Sequence, residues 1–366
     1  MIDETTAIQE FETWLYNSSL KPSGHVNIQA DGQIHRYTVE GDRAGSRNGA
    51  YCLHLDGRPA GYVMSWKTGK EEKEIWKYSY SDEERREYAQ SQSNPALKAQ
   101  TEKERLEREC RKAEALRHQR EKQEQARMMA LKEYLNAWPI TDPLSEHPYT
   151  RSKFEGLGIC YRDDGQFRTR YGETSDNVDY SVITNYPPRL CRGTIEGGIC
   201  KAGELLVPMR NILNGELQTL VRFYAGNMNG GKWPRGYYTG TSPTGAAYII
   251  WPQHAKRGAV YVCEGFSTAL ALMISFECQY VIFSVGSWQN LHPVCQALRT
   301  RLPAGTKIII AADNDKLDSK GKNAGLDAAN ECVTSGVADR QIAPDDNGTD
   351  WADELRKEFI KNECKR

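Results

Sequence analysis

The chain has 366 residues, 39% of them hydrophobic and 27% charged, with a formal net charge of −1. It can therefore bury a sizeable core in about two or three domains, and its balance excludes a uniformly basic nucleic-acid binder, so any such surface must be a patch. Ten scattered cysteines form no CxxC pair, no secretory signal precedes them, and no apolar run approaches a bilayer span; a soluble cytoplasmic protein is expected, with no zinc site and no membrane partner.

Residues 1–80 carry short strand-like runs, "QIHRYTV", "AYCLHLD" and "AGYVMSW", the last two joined by Gly57, Arg58 and Pro59. They predict a small N-terminal α+β domain, an antiparallel sheet behind one helix. Residues 81–138 are dominated by a charged stretch with Asn94 as N-cap, Pro95 at the first helical position and i,i+4 pairs such as Glu104 with Arg108. Its apolar residues are too sparse for a heptad seam, which predicts a solvated helix whose end, from Met128 to Trp138, can dock.

From 139 to 256 the chain is richer in Gly, Pro, Tyr and Arg and is expected to be mostly β. In "ELLVPMRNILNGELQTLVRFYAG" two apolar runs flank Asn214 and Gly215, a strong hairpin signal. After residue 257 strands alternate with apolar helices: "GAVYVCEG", "QYVIFSVGS", "KIIIAADND" and "RQIAP" read as strands of a mainly parallel sheet. The whole is expected to be an α/β multidomain chain.

In such sheets ligands sit at the carboxyl edge. The first strand of the last region ends at Glu264 and Gly265, the second supplies Gly286 and Ser287, and the third ends at Asp313 and Asp315. Hard oxygen donors of this kind suit Mg²⁺ or Mn²⁺. Further on, "GTDWADEL" adds Asp350 and Asp353 as auxiliary acids, with Asp350 also readable as an N-cap.

An EG after the first strand and a DxD after the third resemble the Toprim domain over residues 257–366, a Rossmann-like fold shared by bacterial-type primases, topoisomerases and some nucleases. The order of motifs along most of the chain resembles phage and plasmid Toprim primase-like proteins, with 139–256 as a primase-associated domain. That resemblance implies nucleotidyl transfer on single-stranded DNA from nucleoside triphosphates, in replication of a mobile element. Asp313 and Asp315 would then hold Mg²⁺ or Mn²⁺, and Glu264 would hold a second ion or act as general acid/base.

Bacterial housekeeping primases have an N-terminal zinc ribbon, and some Toprim nucleases carry their ATPase in the same chain. Neither a ribbon nor a GxxxxGK[ST] loop is present, so a replication helicase or other partner would act in trans. Lys316, Lys320 and Lys322 follow the acidic pair and suit phosphates. Lys232 and Arg235 beside Trp233, with Arg210 and Arg222 in the hairpin, suit a single strand. Arg151, Lys153, His35 and Arg36 are weaker candidates. The same acids would also serve a nuclease, and a non-catalytic binding protein in regulation, defence or counter-defence is a further alternative.

Overall fold

The computed structural model describes residues 4–42, 46–55, 58–65, 69–81, 86, 95–140, 144–157, 160–161, 167–169, 172–173, 187–226, 233–252, 255–317, 321 and 323–363. They fall into two compact units, Met1–Leu116 and Arg117–Arg366.

In the first unit, helix α1 (Glu4–Asn17) lies on an antiparallel sheet of β1 (His35–Tyr37), β2 (Gly49–His54), β3 (Ala60–Ser65) and β4 (Gly69–Lys77), in that order. Ala7, Phe11 and Leu15 recur every four residues, so they form one helix face, and all three are fully buried. They pack on Tyr37, Tyr51, Leu53, Val63 and Trp76 of the sheet. Full burial of Phe11 and Leu15 contributes roughly 1.5–3 kcal/mol each. The unit boundary falls within α2 (Pro95–Asn136), whose last turns bury Ala130 and Tyr134 in the second unit, followed by Ala137 just past its end. Glu133 on the same face accepts from the Ile199 and Cys200 amides and from the Tyr238 hydroxyl, satisfying its buried charge.

The second unit continues with β5 (Trp138–Pro139), α3 (Pro148–Phe154) and a small antiparallel sheet of β6 (Cys160–Tyr161), β7 (Phe167–Thr169) and β8 (Gly172–Glu173). A ten-stranded sheet then gathers β9 (Arg189–Leu190), β10 (Leu205–Asn211), β11 (Leu217–Phe223), β12 (Arg235–Tyr237), β13 (Ala246–Ile250), β14 (Ala259–Cys263), β15 (Val281–Ser284), β16 (Lys307–Ala311) and β17 (Arg340–Ile342), with β5 paired to β9. Its main order is β12-β11-β10-β13-β15-β14-β16-β17.

One half is antiparallel and the other parallel. The β10–β11 hairpin turns at Gly215, whose φ of +75° is easy only for glycine, and its amide closes on Asn211. β13 runs antiparallel to β15, while β15, β14, β16 and β17 are mutually parallel. Strands from both sides of residue 257, where the sequence changes character, thus share one sheet. Buried Asn290 fastens this join, donating to Ala246 and Val285 carbonyls and accepting from the Gly245 amide.

Helices α4 (Phe266–Ser275) and α7 (Trp351–Glu363) cover one face of the parallel half; α5 (Leu291–Arg301) and α6 (Ala324–Thr334) cover the other. This explains the isoleucine run in β16: Ile309 faces the first layer, and Ile308 and Ile310 face the second. α4 is buried at every position from Phe266 to Ile274, which fits its apolar sequence on all sides. Among the described residues no helix is long and apolar enough to cross a membrane.

Candidate active site

β14 and β16 are parallel neighbours with Cys263 opposite Ala311, so Glu264 and Asp313 leave the sheet at the same carboxyl edge. The main chain at Glu264 is held from the next strand, because its carbonyl accepts from the Gly286 amide at 2.8 Å and from Ser284 Oγ at 3.3 Å. Gly286 has φ +81°, and a Cβ there would stand 2.5 Å from the Tyr237 hydroxyl. A glycine is required at that rim for both reasons. At the first turn of α6, a Cβ on Gly325 would lie 3.7 Å from Glu264 Oε2 and 3.8 Å from the Asp313 carbonyl oxygen. The helix start therefore approaches both acids closely.

The loop after β16 is strapped to the segment before α7. Asn314 donates to Thr349 and Pro344 carbonyls, both at 3.0 Å, and accepts from the Gly348 amide. Trp351 Nε1 donates to the Ala312 carbonyl at 3.0 Å. This strap brings in Asp350, far along the chain. Asp350 and Asp353 cap α7 reciprocally: Asp350 Oδ1 accepts from the Asp353 amide at 2.9 Å, and Asp353 Oδ2 from the Asp350 amide at 3.2 Å. Asp350 Oδ2 also pairs with Lys153 of α3. Burial works against the charge on Lys153, but Asp350 outweighs it and raises its pKa.

Asp313 has only partial compensation. The Thr268 hydroxyl, in the first turn of α4, lies 3.1 and 3.2 Å from its two oxygens. Desolvation, then the charges of Asp350 and Glu264, push its carboxyl up to about 8. Asp315 adds a smaller push and is itself exposed, with its carbonyl held by Asn323 Nδ2 at 3.0 Å. Glu264 meets a cation: Arg235 Nη2 stands 3.7 Å from Oε1. Arg235 comes from β12, which β11, β10, β13 and β15 separate from β14 in the sheet order.

The donor set suits a hard divalent cation. Among the described residues no three His, Cys, Asp or Glu side chains form a closed metal cage. Mg²⁺ needs none, since it commonly keeps several waters and takes one or two carboxylates plus substrate phosphates. Carboxylates repelling one another at Asp313 supply the electrostatic demand for such an ion.

Other sequence candidates lie elsewhere. Arg222 is buried and pairs with Glu204 at 2.8 Å, so its charge is spent inside the sheet; the expectation that it meets nucleic acid is corrected. Arg210 Nε donates to the Gly215 carbonyl at 2.6 Å and braces its own hairpin. Trp233 also departs from expectation, since it packs on the core beside His147 and donates Nε1 to the Tyr224 carbonyl at 3.0 Å, which leaves it half-buried. Lys316 is exposed and runs its stem over Gly348. Lys232, Lys320 and Lys322 lie outside the described residues. Sequence reasoning missed Thr268, although its place four residues after Glu264 at a helix start was a usable signal.

Residues 259–360 match the Toprim domain family model. The resemblance read from the EG and DxD motifs is therefore met in the Toprim region itself. Part of the chain is 37% identical to DNA primase TraC of Escherichia coli over 149 residues, 40% of this chain and 12% of that relative. A second protein of the same name and organism is 45% identical over 58 residues, 15% of this chain and 4% of its own length. The chain thus spans only a small part of the curated relatives it matches, and they are primases by name.

Two solved structures show weak likeness. The DnaG primase catalytic domain bound to ssDNA is 15% identical with a TM-score of 0.34, covering 66% of this chain and 78% of that one. The primase fragment of the bacteriophage T7 primase-helicase protein is 14% identical with a TM-score of 0.29, covering 56% and 93%. Both are too distant to assign fold or function.

Proposed function

We propose that the protein is a Mg²⁺- or Mn²⁺-dependent DNA primase of a mobile element, joining nucleoside triphosphates into short primers on single-stranded DNA. The observation that carries this reading is Asp313, partly buried among Asp350, Glu264 and Asp315 and, among the described residues, hydrogen-bonded by the Thr268 hydroxyl. The name of the curated relatives, DNA primase, favours synthesis over other uses of the same acids.

Asp313 and Asp315 hold the cation, with Thr268 orienting Asp313. What a divalent ion would supply there is neutralisation of the charge that builds up as the 3′-hydroxyl oxygen bonds to the α-phosphorus, the bond to the β-phosphate oxygen breaks and pyrophosphate leaves. Glu264, oriented by Arg235, receives the proton of the attacking hydroxyl. Arg235 and Lys316 take triphosphate or template phosphates from the two sides of the edge. Asp350 stays with Lys153 and α7, shaping the field at Asp313. In this reading 257–366 is the catalytic domain, 139–256 the primase-associated domain, and a replicative helicase works in trans.

The test is incubation with single-stranded DNA, ribonucleotides and Mg²⁺ or Mn²⁺, with labelled products resolved by size. New oligonucleotides are expected, falling at least about a hundredfold in Asp313→Asn and Asp315→Asn. Shortened template in place of new strands would assign a nuclease. Biological activity unchanged by both substitutions would leave a binding protein.

A further inference from the structure

A cavity of about 540 Å³ opens in the N-terminal unit between segment 23–29 and β1. Its basic lining is His25 from the segment, His35 and Arg36 from β1, and Arg47 ahead of β2. Among the described residues its lining includes no carboxylate. Among the described residues nearby, Asp31 Oδ1 meets His35 Nε2 at 2.8 Å and the Gln33 amide at 2.9 Å, and Glu40 pairs with Lys21. In a chain whose net charge is −1, this cavity gathers two arginines and two histidines.

The cavity is also built, since segment 23–29 has no regular structure and two tyrosines hold it in place. The Tyr51 hydroxyl accepts from the Gln29 amide at 2.8 Å and donates to the Asn27 carbonyl at 3.2 Å. The Tyr16 hydroxyl accepts from the Val26 amide at 3.1 Å and donates to the Gly24 carbonyl at 3.0 Å. His35 stacks on Tyr51, with centroids 5.3 Å apart. Arg47 Nη2 donates to the Arg36 carbonyl at 2.8 Å, and both arginines line the cavity. Asn27 and Gln29, both exposed, also line the cavity.

We propose that this cavity seats one nucleotide unit of a single-stranded nucleic acid. Arg36 and Arg47 take its phosphates, because planar guanidinium donors match phosphate oxygens. Asn27 and Gln29 take the base edge, each offering a donor and an acceptor. The volume exceeds what a bare phosphate needs and falls within the range of small-ligand sites. The site requires no turnover at the acidic edge, so it stands or falls independently of the proposed activity.

The test uses the full chain carrying Asp313→Asn and Asp315→Asn, with a fluorescein-labelled oligothymidylate read by anisotropy across a salt series. Adding Arg36→Gln and Arg47→Gln should weaken binding at least tenfold. The slope of log K against log salt should shrink by about 1.4, since each phosphate contact on a single strand contributes roughly 0.7. Arg36→Lys with Arg47→Lys should keep the slope, and Asn27→Ala with Gln29→Ala should weaken binding with the slope unchanged. Unchanged affinity and slope in the glutamine variant would overturn the site, as would an equal loss in the lysine variant. Displacement of the oligonucleotide by inorganic phosphate as effectively as by thymidine monophosphate would overturn the nucleotide assignment and leave an anion site.

Discussion

In the antiparallel half of the large sheet, Glu204 is buried and meets Arg222, which also donates to the Ile199 carbonyl. In the parallel half, Asp313 is partly buried and meets Thr268, while three other carboxylates press on it. Both acids lose water on folding, yet among the described residues Glu204 meets a cation and Asp313 a hydroxyl. A matched charge is part of the scaffold, and an unmatched one at a strand end is a demand for something from outside. The same contrast separates Arg222 from Arg235: the first is enclosed with its acid, and the second stands at the open edge, 40% exposed, beside Glu264.

The largest effect should come from breaking the matched pair. Glu204→Ala leaves Arg222 buried and uncompensated, which should cost about 3–5 kcal/mol in urea denaturation. Replacing both partners, Glu204→Leu with Arg222→Met, should restore most of the loss. If Glu204→Ala costs no more than a surface substitution, the pair is not the structural charge the comparison makes it.

A third group shows another solution, remaining neutral. His147 is buried, its Nδ1 accepts the Tyr149 amide as the cap of α3, and burial pulls its pKa from 6.5 down to about 4. Between those values the unfolded chain binds the proton and the folded chain does not. Stability should therefore be indifferent to this group above pH 6.5 and fall as pH drops toward 4, by on the order of 3 kcal/mol. His147→Asn keeps a cap acceptor and should flatten that window in thermal melts, while a persistent slope would assign it to other groups.

The smallest expected effect tests the unmatched acid directly. Mn²⁺ at a hundred times its dissociation constant should stabilise the chain by about 2.7 kcal/mol, seen as a rise in melting temperature. Asp313→Asn should remove most of that rise. Glu204→Leu with Arg222→Met should keep it, because those residues do not face the ion. A rise that survives Asp313→Asn would place the cation elsewhere.

Periodicity along the chain was enough to show the strands of the parallel half, the long charged helix and the Asn214–Gly215 hairpin, because these depend on local pattern and turn chemistry. Strand ends in alternation with helices also put Glu264 and Asp313 at one edge, since parallel strands share a carboxyl side. Spacing could not tell Arg222 from Arg235. Both are arginines among aromatics, and which is enclosed depends on the residue that folds over it.

Only tertiary structure brought Lys153 to Asp350, and Arg235 to Glu264 from a strand that four others separate from β14 in the sheet. It also revealed that the β-rich stretch and the parallel strands share one sheet, because pairing between β13 and β15 leaves no local mark. What the sequence by itself determined is the set of elements and the acids that end them, through propensity and period. Which charges are matched was decided by packing, because a carboxylate's partner is set by distance and desolvation in three dimensions and not by position along the chain.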